Sequence, residues 1–383
     1  MVIVQPVVPH YRVPLFAALA AADNFSISVL ASQSVPNTPD SVTALPSWAD
    51  LKHDCIPLCG ARFFWQKALR LPPEFGPGDV LVFNGNPRFL STALIFAQAK
   101  RRGVGRLWWG HGWSATSVEW RAQIRFQMMR LATVSLLYTD AEVLALKARY
   151  PNWKRPALGL NNTLDVAPIV RAKRAWEGSR LKEFQQREGF LGAPLFIFCG
   201  RLRAKPSTDL AVALRAFAKL YATDRSLRFA IIGDGEEATA LHELEHRLHI
   251  GGGVLWAGPI FEENKLAPWF LSATCAVYPG AVGLSVIQAF AYGVPVVTHS
   301  ERALHGPEFS AMRQGSNGLL FKRGDPDDLA EKMKTICADR DVRTRLRNGT
   351  LRTIEEEFSF DGMVGRFAEA IRLTSAISCG KIA

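Results

Sequence analysis

Three short stretches place residues where they could handle an anion. In YPGAVGLSVIQAFAYGVPVVT (278–298) an apolar strand runs into Pro279-Gly280, then Gly283-Leu284-Ser285, where a helical pattern begins. A helix start offers unpaired backbone N–H groups and the positive end of the helix dipole, and a glycine lets a ligand come close, so the stretch suits a phosphate. Read alone, it is more readily a plain strand-to-helix turn capped by Ser285. FCGRLRAK (198–205) sets Gly200 and Arg201 directly after a buried strand and Lys205 four residues beyond Arg201. Arginine grips phosphate with two parallel hydrogen bonds and lysine adds a point charge, a pair that suits a diphosphate, although a solvated surface turn would look the same. WWGHGWS (108–114) holds His111 between two glycines, where a neutral imidazole can accept a proton, hydrogen-bond a sugar hydroxyl, or serve structure alone. Glu308 in LHGPEF, with His299 and His305 nearby, is a weaker site signal without metal-ligand spacing.

These residues need strands that end where they begin. In the first half VIVQPVV (2–8), FSISVLA, DVLVFN (79–84), RLWWG (106–110) and VSLLYT (134–139) read as short buried strands, and helical patterns follow most of them. Periodicity weakens between 150 and 190, which predicts a connection and a domain junction. The alternation then restarts with PLFIFCG, LRFAIIGDG, VLWAG, CAVYPG, VPVVT and GLLF, and helices over 325–338, 340–356 and 360–378 close the chain. Short apolar strands alternating with helices imply parallel, doubly wound sheets, hence an α/β chain of two domains. The expected division is 1–165, 166–358 and a last helix in 359–383 that packs back on the first domain. In such sheets ligands bind outside the carboxyl ends of the strands, so the loops after each strand are the informative ones, and two facing sheets would line one cleft.

Composition narrows the classes. At 383 residues the chain exceeds what one core usually serves, and 48% hydrophobic residues describe an ordinary folded protein. The six cysteines are scattered, which fits a reducing compartment, and Cys55 and Cys59 lack the second pair that a zinc site needs. No stretch approaches a membrane span and the first residues lack the features of a signal peptide, so a cytoplasmic chain is expected. The net charge is +11, with 17 Lys+Arg against 10 Asp+Glu in residues 1–165, so an anionic partner for the first half is plausible. Nucleic acid is a poor candidate, because the basic residues are dispersed and the aromatics form no stacking array.

Taken in order, GRLRAK, GDGEE, GLSVIQA and GVPVVT resemble the motifs of family 4 retaining glycosyltransferases of the GT-B fold, and PHYRVPLF and WWGHG resemble a branch that builds bacterial polysaccharides. The resemblance implies two Rossmann-like domains and transfer of a sugar from a UDP- or GDP-sugar to a saccharide acceptor, without metal or cofactor. Gly200, Gly233, Gly283, Leu284, Ser285 and Gln288 would bind the donor. Arg201, Lys205 and His111 would act in catalysis, with Arg201 and Lys205 holding the leaving diphosphate. Tyr11, Arg12 and Asn86 would meet the acceptor. Two positions depart from the family: Gly280 stands where a glutamate is common, with Gln288 eight residues on, and Lys205 comes one residue early. A nucleotide-sugar epimerase of the same fold is the alternative reaction.

GARFFWQKALRLPP (60–73) mixes Arg62, Lys67 and Arg70 with Phe63, Phe64 and Trp65, a combination that suits an anionic membrane surface or, alternatively, a helix packing its aromatics inward. The expectation is peripheral association with the inner membrane and a lipid-linked saccharide acceptor.

Overall fold

The computed structural model describes every residue except 23–25, 37, 39, 43–44, 113–118, 204–207 and 383, and among residues 119–121 the backbone alone. The chain forms two compact units, Met1–Asp165 with Phe360–Ala383, and Val166–Ser359.

The first unit is built on a seven-stranded, wholly parallel sheet. Its strands are β1 (Val2–Val4), β2 (Ser28–Leu30), β3 (Ala49–Asp50), β6 (Val80–Asn84), β7 (Gly105–Gly110), β8 (Val134–Leu137) and β9 (Ala157–Gly159). They lie in the order β3-β2-β1-β6-β7-β8-β9. Strand β1 is shorter than the apolar run suggests, because Pro6 cannot donate to a sheet ladder. Between β3 and β6 the chain makes an antiparallel hairpin of β4 (Cys55–Leu58) and β5 (Phe63–Gln66), which strand-helix alternation does not foresee. Residues 60–73 are therefore largely strand and turn, not helix. Phe64 is buried and stacks on Phe89, and Gln66 Nε2 donates to the Gln5 carbonyl at 2.9 Å, so the hairpin is tied to the main sheet.

The last helix, Phe360–Ser378, covers one face of this sheet. Phe367 is fully buried and meets Trp109 edge to face at 5.0 Å, among Val82, Leu107 and Leu136. Arg366 ties the helix to the Asp140 carboxylate at 2.8 Å and the Gly159 carbonyl at 3.0 Å.

The second unit carries a six-stranded parallel sheet of β10 (Leu195–Cys199), β11 (Arg228–Ile232), β12 (Val254–Gly258), β13 (Ala273–Tyr278), β14 (Val296–His299) and β15 (Gly318–Phe321). The order is β12-β11-β10-β13-β14-β15. The stretch expected as a connection after residue 150 holds strand β9 and the helices Ala167–Ala175 and Ser179–Arg187. Their polar composition hides them, since each buries only one or two side chains. Among the described residues no helix is long and apolar enough to cross a membrane.

If the terminal helix is an integral layer of the first unit, Phe367→Ala should cost about 3–5 kcal/mol in urea unfolding, the usual result of emptying a buried phenylalanine site. A loss below about 1 kcal/mol would show that the helix contributes little to that core.

Candidate functional site

In the second sheet the strand order reverses between β10 and β13, which are hydrogen-bonded neighbours. At such a reversal the chain leaves adjacent strands toward opposite faces and opens a crevice beyond their carboxyl ends. The two anion-suited stretches exit there side by side: Gly200 and Arg201 after β10, and Pro279 to Ser285 after β13. The helix Leu284–Ala291 takes Gly283 as its N-cap, with no side-chain cap, so Ser285 does not cap it and the helix start stays bare. Ser285 and Gln288 are both half-buried near this end, with Gln288 nearly one turn further along. Arg201 is exposed at the opposite lip. Lys205 lies outside the described residues.

Gly233 and Gly235, at the exit of β11, hold the Arg201 loop in place. Gly233 has φ of 148°, and a Cβ there would overlap the Gly200 carbonyl oxygen; Gly235 has φ of 156° and is pressed in the same way on the Leu202 carbonyl. Leu202 N–H donates to the Asp234 carbonyl at 2.9 Å, closing the backbone contact. Gly233 thus shapes the loop beside the crevice through its own missing side chain.

The loop after β14 supports the bare helix start from the other side. His305 Nδ1 accepts the Val282 N–H at 3.1 Å, so its proton sits on Nε2, which donates to the His299 carbonyl at 2.9 Å. The two imidazoles stack at 3.9 Å, and Phe309 continues the stack at 4.1 Å. Burial, then the Arg323 charge, lowers the His299 pKa to about 4. Burial, then His299, does the same for His305. Glu308 is buried, and its Oε2 lies 3.5 Å from where a Cβ on Gly283 would stand. It brings a carboxylate to the helix start, where Gly280 supplies none. Spacing alone marked Glu308 weakly, since the contact joins residues 25 apart in the chain.

In the first sheet the order reverses between β1 and β6. Tyr11 and Arg12 follow β1 in a tight turn, and Asn86 follows β6, so the three flank that reversal. Asn86 Oδ1 accepts the Arg88 N–H at 3.1 Å and shapes its own turn. Arg12 is 9% exposed, donates to Asn162 Oδ1 at 2.7 Å, and lies 4.8 Å over the Trp109 ring. His111 leaves the neighbouring strand β7, 4.4 Å from the Tyr138 ring and 3.9 Å from Glu142 Oε1, which accepts the Gly112 N–H at 3.1 Å. Although 42% of the His111 side chain is exposed, loss of hydration and then the charges of Arg125 and Arg12 lower its pKa to about 4. A group that weakly basic is a poor proton acceptor at neutral pH, so hydrogen bonding to a hydroxyl suits His111 better than general-base work. Asn162 went unmarked in the sequence, because NNT follows a strand of only three residues.

Residues 193–339 match the family described as Glycosyl transferases group 1. The lipopolysaccharide core biosynthesis glycosyltransferase LpsE of Rhizobium meliloti is 31% identical over 224 residues, 57% of this chain and 58% of that protein. A D-inositol 3-phosphate glycosyltransferase of Streptomyces bingchenggensis is 28% identical over 221 residues, 51% of this chain and 47% of that protein. The chain therefore spans about half the length of these curated relatives. Among solved structures, Anabaena HepE in complex with UDP superposes with a TM-score of 0.67 at 14% identity, covering 96% of this chain and 98% of that one. A glycosyltransferase from Rickettsia africae gives 0.71 at 10% identity, covering 97% of each. The fold is GT-B, with two Rossmann-like parallel-sheet units.

The paired histidines set an acid limit. Both have folded-state pKa values below the ordinary 6.5, so the stability they contribute is present above about pH 6.5 and is lost as pH falls toward 4. Each should add about 1.4 kcal/mol per pH unit to the slope inside that window. His305→Gln should give a shallower fall of melting temperature between pH 6.5 and 4.5 than the unaltered protein. Equal slopes would show that His305 is not held neutral.

Proposed function

We propose that this chain transfers a sugar from a UDP- or GDP-sugar to a saccharide acceptor, with retention of anomeric configuration and without a metal. The observation that supports this most is the pairing at the β10–β13 reversal of an exposed arginine with an uncapped helix start. As the bond from sugar to diphosphate breaks, negative charge grows on the leaving phosphate, and the fixed backbone N–H groups of Leu284 and Ser285 with the Arg201 guanidinium would stabilise it. Lys205 follows in the same loop and would add its charge. Gly200, Gly233 and Gly283 leave room for the nucleotide, and Gln288 would meet its ribose hydroxyls. Glu308 would take up the sugar-binding work of the carboxylate that Gly280 lacks. His111 would orient a hydroxyl, and Tyr11, Arg12 and Asn86 would contact the acceptor. The proton of the attacking hydroxyl would pass to a donor phosphate oxygen, so no protein nucleophile is required.

The match to a lipopolysaccharide core glycosyltransferase supports an envelope glycan as acceptor, and we extend this to a lipid-linked one at the cytoplasmic face of the inner membrane. The hairpin supports that extension. Trp65 and Ile56 are cross-strand partners, both exposed, and Arg62, Lys67 and Arg70, exposed as well, lie close by in the chain. Phe64 belongs to the core and is no anchor. Trp65→Ser with Ile56→Ser should therefore reduce pelleting with membranes and leave the fold intact, whereas an unchanged pellet would remove the hairpin from the reading.

Nucleotide binding is the decisive test. UDP or GDP should raise the melting temperature with EDTA present, because a ligand of the folded state alone stabilises it. Gln288→Ala should weaken that binding by about 1–3 kcal/mol, roughly five- to a hundredfold in affinity, and Gln288→Glu should weaken it less. Calorimetry showing equal affinity for all three proteins would displace the donor from this helix. In turnover assays His111→Ala should be slower by roughly a hundredfold, with a product of unchanged anomeric configuration by NMR.

A further inference from the structure

Arg12 combines features that a merely structural arginine does not need. It is nine-tenths buried, yet among the described residues no carboxylate forms an ion pair with it. Its guanidinium donates to the oxygen of the neutral Asn162 amide. The rings of Trp109, Tyr11 and Tyr138 lie 4.8, 5.4 and 5.6 Å from its guanidinium carbon, and among the described residues no second side chain accepts from the guanidinium. It is also the N-cap of helix Val13–Ala21, whose first turn carries no acidic residue, so the positive end of that helix dipole adds to its charge. Taking a cation out of water is costly unless an opposite charge meets it. The Asp140 carboxylate, bonded to Asn161, is engaged by Arg366, and Glu142 faces His111 and Arg125.

We propose that Arg12, at the reversal between β1 and β6, seats an anionic group of the acceptor, a phosphate or a carboxylate. The site binds that group through the guanidinium N–H donors not used by Asn162, in a planar geometry that matches two oxygens at once. Trp109 and Tyr138 wall the position and exclude water, which strengthens the charge pair. The low basicity of the neighbouring His111 follows in part from the same uncompensated charge. This inference names the acceptor class within the transferase reading and rests on that reading.

The test uses the full chain in saturating UDP, which fills the donor site, at ionic strength matched with sodium chloride. Melting temperature is read against glucose 6-phosphate, glucuronate and glucose. We expect a rise of a few degrees with one of the two acids and none with glucose, and whichever acid acts identifies phosphate or carboxylate. Arg12→Gln should abolish the response to the acid and keep the response to UDP, while Arg12→Lys should retain part of it. Should Arg12→Gln fail to melt cooperatively, hydrogen exchange on the unaltered protein decides: the acid should protect residues 9–12 and 160–163. No response to either acid, an equal response to glucose, a full response in Arg12→Gln, or no protection of those segments overturns the proposal. If UDP gives no shift while an acid still does, the donor reading fails and the anion site stands.

Discussion

Everything in the second unit depends on β10 having two hydrogen-bonded neighbours, β11 and β13, that leave the sheet toward different faces. A parallel sheet needs a crossover after each strand, and where the crossovers change direction no helix covers the strand ends. The gap is filled by polar loops and one helix terminus. Because the buried strands allow no charge of their own, Arg201 and the bare N–H groups stand just outside them, where a ligand can meet both. Gly233 and Gly235 then set how tightly the loops pack, since any side chain there would meet backbone carbonyls.

The two reversals differ in how their polarity is balanced. In the second unit the stacked, neutral His299 and His305 and the buried Glu308 surround an electropositive helix start. In the first, Arg12 at a helix N-terminus is held among aromatic rings, and Glu142 serves His111 and Gly112. Burial has opposite consequences for the two kinds of group. A histidine yields its proton and becomes neutral, whereas an arginine keeps its charge and must find a partner. For that reason the histidines can shape the site as neutral groups, while Arg12 is the group proposed to meet an anion.

The hairpin shows how little of a local aromatic cluster can be judged from composition. Phe64 and Trp65 are adjacent, yet one is core and the other surface, because successive residues of a strand face opposite sides. Helical spacing would have sorted Phe63, Phe64 and Trp65 differently.

The sequence by itself determined that the chain is α/β, since short apolar strands followed by amphipathic helices have few other ways to bury themselves, and it marked the loops after β10, β13 and β7 as chemical. The positions of most strands and the two closing helices near residues 340 and 360 were legible for the same reason: periodicity is local. Tertiary structure alone decided which loops are neighbours. Nothing within FCGRLRAK or PGAVGLS states that β10 pairs with β13, that Glu308 reaches Gly283, or that Asn162 meets Arg12 across 150 residues. Those contacts arise because sheet pairing brings strand ends together irrespective of their separation in the chain. The three-residue strand β9 and the helices after it stayed hidden because each owes its place to packing against the rest of its unit more than to its own apolar pattern.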